Sequence, residues 1–242
     1  MPTPIRYSPA PYEAPWYETL LSPVVLAGNL AVAAVAYPGL HTARVSWHPD
    51  IDPLIAFLRG RTRPVIFYSW HAYELPILCA VYHLPQDVRP LGIGHDGLLS
   101  RVFQRATSWL GVPVWVYRRR SAVRPGQQII DLIETAPEPP ILGLIPDAGG
   151  PYGTLKPGIL RIARATRSHL LPVAVRADPS LLQRQPARYV IPLPLAHVKV
   201  HTGTPLDGST VTPEEAHAAL EALDRQAHGI WCRPPEGGNG KG

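Results

Sequence analysis

The sequence is poor in cysteine and in charge. Its 242 residues include two cysteines, Cys79 and Cys232, which are far apart and match no C-x-x-C spacing. We therefore expect two free thiols in a reducing compartment rather than a disulfide framework or a thiolate metal site. Charged residues make up 17% of the chain and hydrophobic residues 45%, which excludes a globally disordered protein.

Signals for nucleic-acid binding are also missing. The chain has no recognition-helix pattern, no aromatic ribonucleoprotein motif and no zinc-finger spacing, so nucleic acid is not an expected partner. Even so, the formal net charge is +5. This excess points to an anionic membrane surface or an anionic substrate.

An export signal is not evident at the N-terminus, because residues 1–18 are proline-rich and lack a basic region followed by an apolar core. Residues 20–40 are nearly uncharged, and as a helix they would be about long enough to cross a bilayer once. Pro23, Gly28 and several alanines weaken this segment as a membrane span. We predict a helix over residues 19–45 that lies in a membrane interface, with a true span as the alternative.

The remaining chain alternates short β-rich runs with helical stretches. Predicted strands cover residues 64–69, 89–94, 113–117, 140–146, 170–176, 188–191 and 197–202. Predicted helices cover residues 72–83, 98–110, 122–135, 157–166 and 213–228. This alternation predicts one layered α/β domain over residues 46–230, with a central, largely parallel mixed sheet flanked by helices. Residues 231–242 are expected to be a disordered tail.

The first candidate cluster lies in the stretch PVIFYSWHAYELP, residues 64–76. A buried strand ends just before His71, and residues at strand ends project into the crevice above a parallel sheet. Glu74 follows one helical turn later and is placed to orient the imidazole. A structural histidine remains the alternative at this point.

Two further clusters also follow predicted strands. His95, Asp96 and Gly97 stand where a strand passes into a helix, either as a helix cap and turn or as a second loop of the site. Arg118 and Arg119 end the run GVPVWVYRRR. They form either a solvated strand edge or an anion site, because guanidinium binds phosphate in a bidentate fork.

The fourth cluster is the segment IPDAGGPYGTLKPG. A strand ends at Asp147, a turn with Gly149 and Gly150 follows, and Lys156 then enters a helix. Backbone amides and a lysine at a helix N-terminus favour anions. A simple strand-to-helix connection explains the glycines but explains the acid and the lysine less well.

In this order, the four clusters resemble the lysophospholipid acyltransferase family, and its small bacterial branch in particular. FYSWHAYELP is similar to its first motif, a histidine after a strand; GVPVWVYRRR to its second; IPDAGGPYGTLKPGILRIAR to its third; and LLPVAV to its fourth. The family's first motif usually has an acid five residues after the histidine, where this chain has Pro76. Glu74, Asp96 or Asp147 would therefore have to orient His71.

This resemblance implies a glycerol-3-phosphate acyltransferase-like fold and an acyltransferase at the cytoplasmic face of a membrane. An acyl group would move from acyl-CoA or acyl carrier protein to a hydroxyl of a lysophospholipid or related lipid, with His71 as general base and no bound metal or cofactor. Amides of the turn after Asp147 would stabilise the oxyanion. The implied substrate-binding residues are Arg118, Arg119, Lys156, Gly149, Gly150, His95 and Gly97.

Two other functions fit the same residues. A metal-dependent phosphohydrolase would use a set of histidines and acids as ligands, namely His71, His95, Asp96 and Asp147. Alternatively, the chain would be a non-catalytic lipid- or anion-binding protein on the same fold, because the usual partner acid is missing. Sensitivity to a chelator, and turnover of any acyl thioester, distinguish these hypotheses from acyl transfer.

Overall fold

The structure is a computed structural model that describes residues 41–96, 111–119, 121–147, 152–183 and 189–228, together with positions 23, 27, 34, 38, 39 and 107. The predicted segments 1–18 and 231–242 lie outside the described residues, as do most of the predicted helix 19–45 and all but one residue of the predicted helix 98–110. Gly97, Gly149 and Gly150 also lie outside them.

Eight strands and five helices make up the described part of the chain. The strands are β1 (Arg44–His48), β2 (Val65–Tyr68), β3 (Leu91–His95), β4 (Val114–Tyr117), β5 (Ile141–Leu144), β6 (His169–Gln183), β7 (Tyr189–Thr202) and β8 (Leu206–Asp207). The helices are α1 (Ile51–Arg59), α2 (Glu74–Tyr82), α3 (Pro125–Thr135), α4 (Pro157–Thr166) and α5 (Pro213–His228). Short 3-10 turns lie at His71–Tyr73 and Gln86–Val88.

All described strands join one mixed sheet in the order β1-β7-β6-β2-β5-β3-β4, with β8 paired to β6. Every pairing is parallel except those of β6 with β7 and with β8. The prediction of a layered α/β domain with a largely parallel mixed sheet is confirmed.

Strand β2 lies at the centre of the core. All four of its residues are buried, and it pairs in parallel with β5 on one side and β6 on the other. A strand that is buried on both faces needs a continuous apolar run, and VIFY supplies it. The Tyr68 hydroxyl donates a 2.9 Å hydrogen bond to the Ala216 carbonyl, which fixes α5 against the sheet.

The helices cover the sheet with apolar stripes. In α3, Ile129 and Ile133 are buried one turn apart, and Ile159 and Ala163 have the same relation in α4. This i, i+4 spacing places each pair on one helix face. Both helices begin with proline, which suits the first helical position because its missing N–H has no helical partner there.

The amino-terminal part of the domain differs from the prediction. Strand β1 and helix α1 were not predicted, because RVSWH alternates weakly and IDPLIAFLR contains an early proline. Residues 44 and 45 belong to β1 and not to the predicted helix 19–45. Among the described residues, no helix combines the length and the apolar character needed to cross a bilayer.

Strands β6 and β7 form a longer hairpin than predicted. The predicted strand 170–176 extends over His169–Gln183, and the predicted strands 188–191 and 197–202 are parts of a single strand, Tyr189–Thr202. Prolines interrupt the apolar pattern in both halves. The antiparallel ladder accommodates the interruption through a register shift between Asp178 and Ser180.

Candidate active site

The carboxyl ends of four neighbouring parallel strands meet at one edge of the sheet. The register pairs Tyr68 of β2 with Leu144 of β5 and His95 of β3 with Tyr117 of β4, and β5 lies beside β3. Among the described site residues, His71 follows β2, Asp96 follows β3, Arg118 and Arg119 follow β4, and Asp147 follows β5. The fold therefore gathers them along the edge where ligands of parallel sheets bind.

His71 begins the 3-10 turn that joins β2 to α2. Glu74 is the first residue of α2, and its Oε2 lies 3.5 Å from His71 Nε2. Both side chains are one-quarter exposed, so the pair is accessible from solvent but largely shielded from it. The i, i+3 spacing brings acid and imidazole together as the sequence predicted.

Asp147 holds the turn that carries His71. Its Oδ1 accepts a 2.8 Å hydrogen bond from the backbone N–H of His71, and its Oδ2 accepts a 3.4 Å bond from the N–H of Gly153. The residue is only 2% exposed. Both carboxylate oxygens bond backbone amides, so Asp147 fixes the position of the His71 backbone and ties together the segments that follow β2 and β5.

Burial controls the ionisation of these three groups. Desolvation lowers the pKa of His71, partly offset by the charge of Asp147. Desolvation raises the pKa of Glu74 to about 7, with a further increase from the charge of Asp147. It also raises the pKa of Asp147, against the effect of its N–H donors. At neutral pH the imidazole is therefore neutral and able to accept a proton.

A hydrogen-bonded group of aromatic and acidic side chains lies behind this turn, and the sequence did not predict it. The hydroxyl oxygens of Tyr73 and Tyr152 are 3.0 Å apart, and Tyr152 donates a 3.3 Å bond to Asp224 Oδ2. His228 Nδ1 lies 3.2 Å from Asp224 Oδ1, and its ring stacks on Tyr73 at 4.9 Å. Helix α5 is thereby connected to the His71 turn and to the loop after Asp147.

The second predicted cluster closes the ends of β3 and β4. Asp96 Oδ1 accepts a 3.1 Å hydrogen bond from the backbone N–H of Arg119, and the Asp96 N–H donates a 3.1 Å bond to the Tyr117 carbonyl. Desolvation, followed by the charge of Arg119, lowers the pKa of His95. Asp96 therefore positions the backbone after β4.

Gln128 of α3, which the sequence did not single out, brackets the backbone of Arg118. Its Oε1 accepts a 2.9 Å bond from the Arg118 N–H, and its Nε2 donates a 2.9 Å bond to the Arg118 carbonyl. The side chains of Arg118 and Arg119 are exposed at this edge. Exposed guanidinium groups on a fixed backbone suit the binding of an anionic group.

Lys156 is exposed and stands at the N-terminus of α4. Its backbone N–H donates a 3.1 Å bond to the Pro146 carbonyl, which closes the loop that begins at Asp147. Within the described ranges, no three His, Cys, Asp or Glu side chains come together as metal ligands. The four residues of the phosphohydrolase hypothesis do not form such a cluster.

The fold is similar to that of an enzyme of known structure. A crystal structure of the 1-acyl-sn-glycerophosphate (LPA) acyltransferase PlsC from Thermotoga maritima superposes with a TM-score of 0.52 and 14% sequence identity, over 85% of this chain and 80% of that chain. The sequence matches no protein-family profile and no curated protein. At this identity the similarity is one of fold: the chain has the mixed, mostly parallel α/β fold of a glycerolipid acyltransferase.

Proposed function

We propose that the protein is an acyltransferase that moves an acyl group from a thioester, acyl-CoA or acyl carrier protein, to a hydroxyl of a lipid acceptor. The observation that carries this proposal is the placement of His71. A neutral, part-buried imidazole stands at the carboxyl end of β2, beside Glu74 and on a backbone fixed by Asp147. The PlsC-like fold supports the same reaction class.

In the proposed reaction, His71 removes the proton from the acceptor hydroxyl as its oxygen attacks the thioester carbonyl. The tetrahedral intermediate then expels the thiolate by breaking the C–S bond, and the imidazolium returns the proton to the sulfur. The products are an ester and a free thiol, and no acyl-enzyme forms. Glu74 stabilises the imidazolium from 3.5 Å, where an opposite charge favours the protonated ring.

A phosphate on the acceptor or donor would be held by the cations at the same edge. Arg118 and Arg119 follow β4 directly, and Lys156 is the residue just before α4. These are exposed positive groups, and guanidinium binds phosphate oxygens through paired N–H donors. The proposed acceptor is therefore an anionic lipid with a free hydroxyl, such as a lysophospholipid.

The test is release of free thiol from acyl-CoA and from acyl carrier protein by the purified full-length chain, with a panel of lysophospholipids as acceptors. Removing a general base typically costs about 10²–10⁴-fold in rate, and we expect that loss in His71→Ala. The matched control is His83→Ala, which changes an exposed histidine just after α2 and should leave the rate unchanged.

Thermal unfolding of both variants checks that they fold. A rate that persists in folded His71→Ala contradicts the proposed base. Release of phosphate from a phosphate ester that is lost in chelator and restored by a divalent cation, without release of thiol, would favour the phosphohydrolase instead. Acyl transfer as proposed is insensitive to chelation.

A further inference from the structure

The outer half of the β6–β7 hairpin exposes large apolar side chains. Leu181 is 57% exposed, Leu182 45% and Leu195 74%. Among the residues with described burial, Val123 is the one other exposed large hydrophobic residue. Isolated exposed leucines are common. Leu181 and Leu182, however, are consecutive in β6 and so expose one leucine on each face of the hairpin, and with Leu195 they indicate an outer half that enters an apolar environment.

The hairpin extends past the edge of the sheet that carries the candidate site. Pairing of β6 with β2 ends where Pro172 meets Tyr68, and β6 continues to Gln183. At about 3.3 Å per residue, the strand runs on for about 36 Å beyond this point. Since His71 also follows Tyr68, the exposed leucines lie on the side of the sheet towards which the site opens.

One face of this part of the sheet is cationic. Cross-strand neighbours share a face, and the register places Arg176 opposite Lys199 and Arg44 opposite His197. All four side chains are exposed. The acid on this face is Asp178, whose Oδ2 lies 3.7 Å from Arg176 Nη2, so three permanent cations face one anion.

A cavity of about 180 Å³ lies within this face. This volume is several times the roughly 30 Å³ that one water molecule occupies in the liquid. Its lining residues are Arg176, Asp178, His197 and Lys199. The opposite face of the same strands carries buried Val175, Val198 and Val200. The cationic face is therefore the one available to a partner, and an anionic partner complements it.

The hairpin also adjoins the end of the predicted membrane-interface segment. The Leu195 N–H donates a 2.9 Å hydrogen bond to Thr42 Oγ1. A Cβ added at Gly39 would stand 3.2 Å from the Pro192 carbonyl oxygen, so this segment packs closely on β7. The apolar sequence that precedes residue 40 therefore joins the domain next to the part of β7 that carries Leu195.

We propose that the β6–β7 hairpin docks the protein on an anionic phospholipid bilayer. Leu181, Leu182 and Leu195 enter the interfacial layer, and Arg176 and Lys199 contact lipid phosphates. This proposal rests on the proposed function for its purpose, which is to present the His71 edge to a lipid acceptor. Binding itself requires no turnover and is measured without it.

The first test is flotation of the full-length chain with vesicles of phosphatidylcholine and phosphatidylglycerol in equal parts. The double variant Leu181→Ser/Leu182→Ser removes two leucines from the membrane interface. Its partition coefficient should therefore be lower than that of wild type by about tenfold or more. Val123→Ser removes an apolar residue of comparable exposure, 42%, at another place and should bind as wild type does.

The second test addresses the charges. Each cation near an anionic surface contributes about fivefold to binding, so Arg176→Gln/Lys199→Gln should bind about 25-fold less tightly to the mixed vesicles. Arg161→Gln/Arg164→Gln removes two exposed charges from α4 and serves as the matched control. Wild-type binding should fall with added salt and on vesicles of phosphatidylcholine alone.

A third test locates the contact. In a Cys232→Ser background the remaining native thiol, Cys79, is buried, so Leu181→Cys can be labelled with an environment-sensitive dye. A blue shift on mixed vesicles is expected at position 181, whereas a dye at Val123→Cys should show none. No shift at position 181 with vesicle-bound protein would overturn the proposal.

Unchanged vesicle binding by folded Leu181→Ser/Leu182→Ser would also overturn it. So would a wild-type dimer that this variant converts to a monomer while it still binds vesicles, because the leucines would then contact a second copy of the chain. His71→Ala should bind vesicles as wild type does. If every thioester assay fails but the protein still binds vesicles through the hairpin, the proposed function is contradicted and the docking surface is supported.

Discussion

Burial and the proposed catalysis favour opposite ionisation states of the Glu74 carboxyl group. It lies 3.5 Å from the His71 ring, a position that favours the imidazolium when the carboxylate is charged. Its pKa, however, is raised to about 7 by burial and by the charge of Asp147. The ionisation state of this residue thus changes near neutral pH, where the proposed acyltransferase would operate.

The first consequence is a pH dependence of the rate. We expect kcat to rise with pH in two steps, one below 6.5 for His71, whose pKa is lowered, and one near 7 for Glu74. Glu74→Gln should abolish the upper step and lower kcat by about tenfold, less than the about 10²-fold or greater loss on removing the base. A pH profile of Glu74→Gln that retains both steps would contradict this assignment.

The second consequence is a pH dependence of stability. Folding favours the protonated form of Glu74, so its contribution is fully present below 4.5 and is lost as pH rises through about 7. We therefore expect Glu74→Gln to increase the free energy of unfolding at pH 8 by up to about 3 kcal/mol, and to have little effect in acid. Denaturant unfolding of both proteins across pH measures the difference.

Sequence patterns could predict part of the site at this scale. His71 and Glu74 are one helical turn apart just after an apolar run, so their proximity follows from local geometry. The bond from the His71 N–H to Asp147 was beyond prediction. It depends on the register of β2 with β5, strands that are distant in sequence, and no short pattern encodes that register.

At the scale of elements, α3 supports the proposed anion site through a side chain. Gln128 bonds both the N–H and the carbonyl of Arg118, so it should position this arginine without contacting substrate. We expect Gln128→Ala to raise KM for a phosphate-bearing acceptor several-fold, by about the strength of one or two hydrogen bonds, with a smaller change in kcat.

The neighbouring Gln127 provides the control, because its side chain bonds Asp131 within the same helix. Gln127→Ala should leave both constants unchanged. A loss confined to kcat in Gln128→Ala, or an equal change in the two variants, would count against a positioning role for Gln128.

Elements were predictable where burial alone determines them. Strands β2 and β5 are mostly buried apolar runs. The start of helix α5 was predictable from its N-cap, Thr212, whose Oγ1 accepts a 3.2 Å bond from the Glu215 N–H. The β6–β7 hairpin was predicted only in pieces. Its outer half alternates prolines, polar residues and exposed leucines, a composition that local patterns assign to loops, whereas antiparallel pairing makes it a continuous ladder.

At the scale of the whole molecule, the contact between the end of β8 and α4 tolerates little added side-chain volume. Gly208 is buried, and an added Cβ would stand 2.7 Å from Ala163 Cβ and even closer to the Ser168 carbonyl oxygen. We expect Gly208→Ala to lower the free energy of unfolding by about 1–3 kcal/mol or more through overpacking.

Gly126→Ala is the matched comparison, since nothing lies within 4 Å of a Cβ at that helical position. There the added methyl group should be neutral or stabilising, by up to about 1 kcal/mol. Thermal or denaturant unfolding distinguishes the two variants, and equal stabilities would show that the Gly208 backbone relaxes.

The strand order also has a consequence for synthesis of the chain. Strand β2 pairs with residues 141–144 and 169–172, and β1 pairs with residues 197–201 of β7. Strand β2 does not find both partners until residue 172 has left the ribosome, and β1 does not find its partner until residue 201 has done so. Nascent chains that stop before β6 would expose the apolar β2 edge, so we expect them to need chaperone protection that the finished domain does not.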